Sequence, residues 1–265
     1  MIDDPIVVFW SGGYDSTLSL LRYIKQGRDI LAVSIESQNT GEVKLAAEKS
    51  SRLKIQPLLH EYSCMYGAHV EYISYPLLDV DTSGVSIAQF DNAYMKCNGY
   101  QGSIKRSSRQ RIVQPLLWLS GLYAISPFLP ERCKIAFSYI SSDCAVAYNS
   151  YIASSVENAG LIQRKHFELV EPLLMLDKED VLQELHKEYP NIFEYCYSCE
   201  SLYHEGPCSS CHPCLTIIQA VSSMLLQHIS EEDRAFWTTF LRDRYQVVLE
   251  RVYNDKEELK YDGSD

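Results

Sequence analysis

Residues 6–17 read Ile6-Val7-Val8-Phe9-Trp10-Ser11-Gly12-Gly13-Tyr14-Asp15-Ser16-Thr17. Four consecutive apolar residues, two of them valine, describe a strand buried on both faces, as in the middle of a parallel sheet. Two glycines follow, which permit a tight turn and a close approach of backbone to a ligand. Asp15 and Ser16 are residue types favoured at a helix N-cap. The helix they would open carries Leu18, Leu21 and Ile24 on one face with Leu20 beside it, and Gly27 suits its C-terminal stop. Strand, glycine turn and helix together form an anion cradle of backbone N–H groups at the positive end of a helix. Ser11, Ser16 and Thr17 add hydroxyls. No lysine follows Gly13 within the turn, so this is not the P-loop of the nucleotide triphosphatases, nor is it the G-x-G-x-x-G dinucleotide fingerprint.

Outward from this stretch, Asp29–Glu36 reads as a second buried strand. Gly41 to Leu53 reads as a helix, with Pro57 expected to end or kink it and Leu58–Gly67 as a further helical stretch. Val70–Leu78 is a third strand and Cys133–Ile140 a fourth. Between them, Asp79–Gln110 has no sustained period and carries Lys105, Arg106 and Arg109, with Arg111 directly after it. Ile112–Phe128 reads as a helix with Pro115 in its first turn. Asp143–Gly160 is a loop and then a helix. Asp177 caps another helix, with Asp180 at the capping-box position. Two last helices cover Leu215–His228 and Glu231–Tyr253. Strands alternating with helices give an α/β fold, a doubly wound parallel sheet, with a C-terminal helical, cysteine-rich extension. The expected division is an anion-binding α/β domain over 1–190 and a cysteine-bearing helical region over 191–265.

The 265-residue chain has a formal net charge of −11, which argues against broad nucleic-acid binding. No run of about 18 apolar residues marks a membrane span. The N-terminus lacks a basic signal-peptide region, so a cytoplasmic location is expected. Nine cysteines are many, and five of them fall between Cys196 and Cys214. In a reducing compartment such clustering favours metal over disulfides. Cys199, Cys208, Cys211 and Cys214 supply four thiolates for a closed, structural zinc site; on spacing alone Cys196 could replace Cys199.

Ser11-Gly12-Gly13-Tyr14-Asp15-Ser16 resembles the PP-loop of the ATP pyrophosphatase superfamily, which cleaves ATP between its α and β phosphates. Joined to C-x8-C-x2-C-x2-C near the other end, it resembles the QueC family of 7-cyano-7-deazaguanine synthases, whose spacing selects Cys199 over Cys196. Glu171-Pro172-Leu173 through Asp177-Lys178-Glu179 resembles that family's P-L-x-x-x-(D/S)-K segment, and Ser108-Arg109-Gln110-Arg111-Ile112 loosely its G-R-N-x-I stretch. Of the family's D-Y-S-G-Y-P-D-C-R-P-E-F run, only Asp143-Cys144 survives. The resemblance implies ATP with Mg²⁺ on Ser11, Gly12, Gly13, Asp15, Ser16 and Thr17, and structural Zn²⁺. It implies Lys178 and Arg109 as charge stabilisers and Asp143 as the group that orients substrate or nitrogen. The implied substrate is a 7-carboxy-7-deazaguanine-type acid, with ammonia as acceptor; a defence-associated variant would use a protein amine. tRNA thiolation or lysidine formation, a non-catalytic zinc-stabilised nucleotide-binding module and a homodimeric assembly are the other readings kept open.

Overall fold

The computed structural model describes residues 4–37, 42–77, 114–143, 145–146, 149–200 and 206–245. Five strands form one parallel sheet: β1 (Ile6–Phe9), β2 (Asp29–Ser37), β3 (His69–Leu77), β4 (Arg132–Ala136) and β5 (His166–Val170), in the order β3-β2-β1-β4-β5. Ile6 pairs with Ile30 of β2 and with Lys134 of β4. Order reverses between β1 and β4, so the crevice of a doubly wound sheet opens beyond their carboxyl ends.

The apolar run of β1 is explained by burial on both faces. Ile6 and Val8 join one core with Leu18, Leu21 and Ile24 of α1 (Tyr14–Lys25). Val7 and Phe9 join the other with Leu122 of α3 (Gln114–Ile125) and Val156 of α4 (Asn149–Ile162). Helix α2 (Glu42–Tyr66) packs on α1, as does α5 (Lys178–Glu188). The one-turn α6 (Pro190–Phe193), α7 (His212–Leu226) and α8 (Glu231–Arg244) complete the first layer. Phe193 meets Tyr14, Trp237 and Phe240 in an aromatic group, so the 191–245 region shares the core of β1 and α1.

Several boundaries differ from the expectations. The N-cap of α1 is Gly13, in extended conformation, and Asp15 and Ser16 lie inside the first turn. Pro57 does not end its helix: α2 runs through it from Glu42 to Tyr66. Pro57 and Leu53, whose carbonyl loses its N–H partner, both lie on the exposed side, where water can take the vacated acceptor. The fourth strand stops at Ala136. Phe137, Tyr139 and Ile140 are nonetheless buried, so their apolar character reflects packing without strand pairing. The last helix ends at Arg244. Strand β5 had no counterpart in the sequence reading. The 79–101 insert, Arg109, Cys144 and His204 lie outside the described residues, and among those described no helix is long and apolar enough to cross a membrane.

Candidate active site and metal centre

Gly12 has φ +88°, and a Cβ there would come within 2.9 Å of Ser51 Oγ, so both the turn and the neighbouring helix demand glycine. The first intrahelical bond of α1 is Thr17 N–H to Gly13 O at 3.0 Å. The amides ahead of it have no side-chain cap, the condition under which the positive end of a helix can take an anion. Ser11 Oγ accepts from Gly13 N–H at 3.3 Å and lies 3.1 Å from Ser16 Oγ, so the two hydroxyls brace the turn. Thr17 is different. It is fully buried, and its hydroxyl accepts from the Trp10 indole N–H at 3.1 Å.

Because Gly13 is the cap, Asp15 is free to point away from its own helix. Lys178 Nζ lies 2.5 and 2.6 Å from its two carboxylate oxygens. Lys178 is the first residue of α5, anchored by a complete capping box between Asp177 and Asp180. Its side chain is 12% exposed, so the ion pair is largely shielded from water. Asp143 sits beyond β4 and accepts the Ile140 N–H at 2.9 Å. Burial above all, then the charge of Asp15, holds the Asp143 carboxyl above its usual range, with Lys178 and His212 partly offsetting this. A connection after each of β1, β4 and β5 therefore sends one charged group to the crevice between β1 and β4.

The loop is also held from behind. Ser51 Oγ lies 2.9 Å from Gly12 O and 2.7 Å from Tyr195 O, and Tyr197 N–H donates to Gly12 O at 3.0 Å. Arg52 donates to Ser11 O at 3.4 Å and pairs with Glu36 at 3.1 Å; burial draws its pKa down. Neither Ser51 nor Arg52 carries a sequence motif, and their role depends on how α2 crosses the loop. A cavity of about 690 Å³ lies between α2 and the 194–199 segment, lined by Tyr14, Ser51, Lys54, Tyr195, Tyr197 and Arg244 among others. Neither the Asp15–Lys178 pair nor Asp143 lines it, so this cavity and the convergent charges are different places. A smaller one, about 70 Å³, lies beside Trp10 at the end of β1 and Ser34 and Tyr72 in the middle of β2 and β3.

The four sulfurs of Cys199, Cys208, Cys211 and Cys214 lie within 4.8 Å of one another. Tetrahedral zinc with Zn–S bonds of about 2.3 Å needs sulfurs just under 4 Å apart, and the observed cluster is close to that size. Backbone N–H groups of Glu200, Cys208 and Cys211 point at the sulfurs of Cys211, Cys199 and Cys208, at 3.3–3.4 Å. Such donors stabilise thiolate, and the hydrogen bond from Cys214 holds the Cys211 thiol down to about 5. Cys196 stays outside this group. Its Sγ faces Ile192 O at 3.6 Å, and burial pushes its thiol up to about 12. The cluster can bind zinc.

Residues 137–224 match the family profile described as "Queuosine biosynthesis protein QueC". That segment, about a third of the chain, is QueC-like. The matched segment contains Asp143, Lys178 and the four cysteines, while the S-G-G-Y-D-S loop precedes it. Among solved structures the chain is similar to NMN synthetase from Francisella tularensis, at 16% identity over 91% of this chain and 86% of that one, with a TM-score of 0.41. No curated protein matches it.

Proposed function

We propose that this chain uses ATP to adenylate a 7-carboxy-7-deazaguanine-type carboxylate and joins it to a nitrogen nucleophile. The observation that carries the reading is the meeting of Asp15, Lys178 and Asp143 beside the open N-terminus of α1. A carboxylate does not condense with an amine in water, because oxide is too poor a leaving group. In the proposed reaction the acid's oxygen attacks the α-phosphorus and pyrophosphate leaves. Ammonia then attacks the acyl carbon, AMP leaves, and the nitrogen gives up a proton. A second ATP activates the amide oxygen in the same way, and loss of AMP with the remaining N–H protons gives the nitrile.

Ser11, Gly12, Gly13 and Ser16 would hold the phosphates, and Lys178 would stabilise the charge that develops at phosphorus. Asp15 keeps Lys178 in place until nucleotide arrives and is the carboxylate suited to Mg²⁺, which screens the triphosphate. Asp143, with its raised pKa, is a competent acceptor for the amine proton. Arg109 is proposed as a second cation on the phosphates. The zinc site is structural in this scheme and takes no chemical part.

The run Ala145-Val146-Ala147-Tyr148 stands where the family carries R-P-E-F, and this favours a second reading in which a protein amine replaces ammonia. Mass spectrometry of products from the acid, Mg·ATP and ammonium separates the outcomes. A free amide or nitrile with AMP and pyrophosphate supports the first reading. Product formed only on an added polypeptide supports the second. ATP bound without turnover would make the chain a nucleotide-binding module.

A further inference from the structure

Asn149 and Glu171 are placed by different elements. Asn149 is the first residue of α4, and Glu171 follows the last residue of β5. The Asn149 amide N–H donates to Glu171 Oε2 at 2.5 Å, which locks the two side chains together. Their other oxygens, Asn149 Oδ1 and Glu171 Oε1, are buried and have no hydrogen-bond partner among the described residues, and Ser138 Oγ, just past β4, is in the same condition. Buried polar atoms are nearly always paired, and a carboxylate oxygen is an expensive one to leave alone. Three such atoms come from the connections 137–149 and 171–177, which the Ser141 N–H to Leu176 O bond ties together at 2.8 Å. The same connections deliver Asp143 and lead into Lys178.

We infer that Glu171 and Asn149 form the recognition site for the heterocycle of the acceptor acid, reading an edge of two adjacent N–H donors. A carboxylate oxygen and an amide oxygen, fixed relative to each other, accept and do not donate. Their complement is a planar fork such as the ring N–H and exocyclic amine of a 2-aminopyrimidinone. An adenine-type edge presents a ring acceptor to one of the two oxygens and is repelled. The oxygens are closed to bulk water, so the segments must part to admit the ring, and water does not compete once it is seated. A site built this way rejects an analogue lacking one N–H far more strongly than an apolar pocket can. Glu171 is thus a specificity-determining residue, and it costs the ligand-free protein stability.

The inference rests on the proposed deazaguanine substrate, and the test keeps the two apart. Isothermal titration in the presence of α,β-methylene ATP compares 7-carboxy-7-deazaguanine with its 2-deamino analogue. Wild type is expected to prefer the guanine-type acid by at least about 100-fold. Glu171→Gln, which turns one acceptor into a donor, is expected to reduce that ratio at least about 10-fold while its ligand-free melting temperature stays level or rises. A residue that merely anchored α4 would lower the melting temperature and leave the ratio unchanged. If Glu171→Gln does not fold, Asn149→Ala reads the same ratio. Wild type binding both acids equally, or a folded variant keeping the full ratio, overturns the inference and leaves the substrate standing. Wild type binding neither acid overturns the substrate and the inference with it.

Discussion

Replacing Lys178 with methionine keeps the unbranched stem of the side chain and deletes its charged end. The ammonium sits 2.5–2.6 Å from both oxygens of Asp15, which at an effective dielectric of about 20 is a gross attraction of roughly 6 kcal/mol. Desolvation of both partners offsets most of that. Removing one partner of a fully buried pair costs about 3–5 kcal/mol, because the other charge is stranded. Here the side chains are 12% and 28% exposed, so the expected loss is nearer 2 kcal/mol. For a chain of this size that is a fall of about 4–8 °C in melting temperature. Asp15→Asn should cost less, since it also relieves the repulsion felt by Asp143. The double variant strands no charge, so its loss should be smaller than the sum of the single losses by about 1–2 kcal/mol. Urea titrations of the four proteins complete the cycle. Strictly additive losses would refute a coupled pair, and unchanged turnover in Lys178→Met would refute its place at the phosphates.

Three further outcomes are expected. Metal analysis should find about one zinc per chain, and Cys211→Ser should release it and lower the melting temperature; a metal-free protein of full stability would remove the zinc site. Ser51→Ala leaves the carbonyls of Gly12 and Tyr195 without their shared donor and should weaken binding of a fluorescent ATP analogue roughly 10-fold; unchanged affinity would mean that the loop holds itself. Asp143→Asn should stabilise the protein at neutral pH. The folded carboxyl is raised by burial and by Asp15, so wild-type stability falls as pH climbs from about 4, the usual aspartate value, through the folded value. The variant lacks that slope and still accepts the Ile140 N–H, so its advantage in thermal melts should fade below about pH 4; an advantage that persists there would contradict the assignment.

What could be read in the sequence was local. Strand, glycine turn and helix are contiguous, and the four cysteines span sixteen positions, so spacing alone carried both. β5 escaped because only Phe167 of its five residues is buried, a weak alternation on an edge strand. Pro57 misled because the rule against helical proline assumes that the freed carbonyl is buried. The Asp15 contact with Lys178, the Ser51 bridge and the Glu171–Asn149 pair all join distant parts of the chain. Residue type gave no sign of these, since a serine in mid-helix is ordinary until the helix is known to cross a turn.

The order in which this protein is made follows from one contact. Gly12 leaves the ribosome long before Tyr195 and Tyr197, yet its carbonyl takes a hydrogen bond from Tyr197, and Ser51 ties it to Tyr195. Neither bond can form until those two tyrosines have emerged. A nascent fragment that already contains the glycine turn therefore lacks its backing, and a truncated product ending before the cysteines would carry the nucleotide signature without the finished grip.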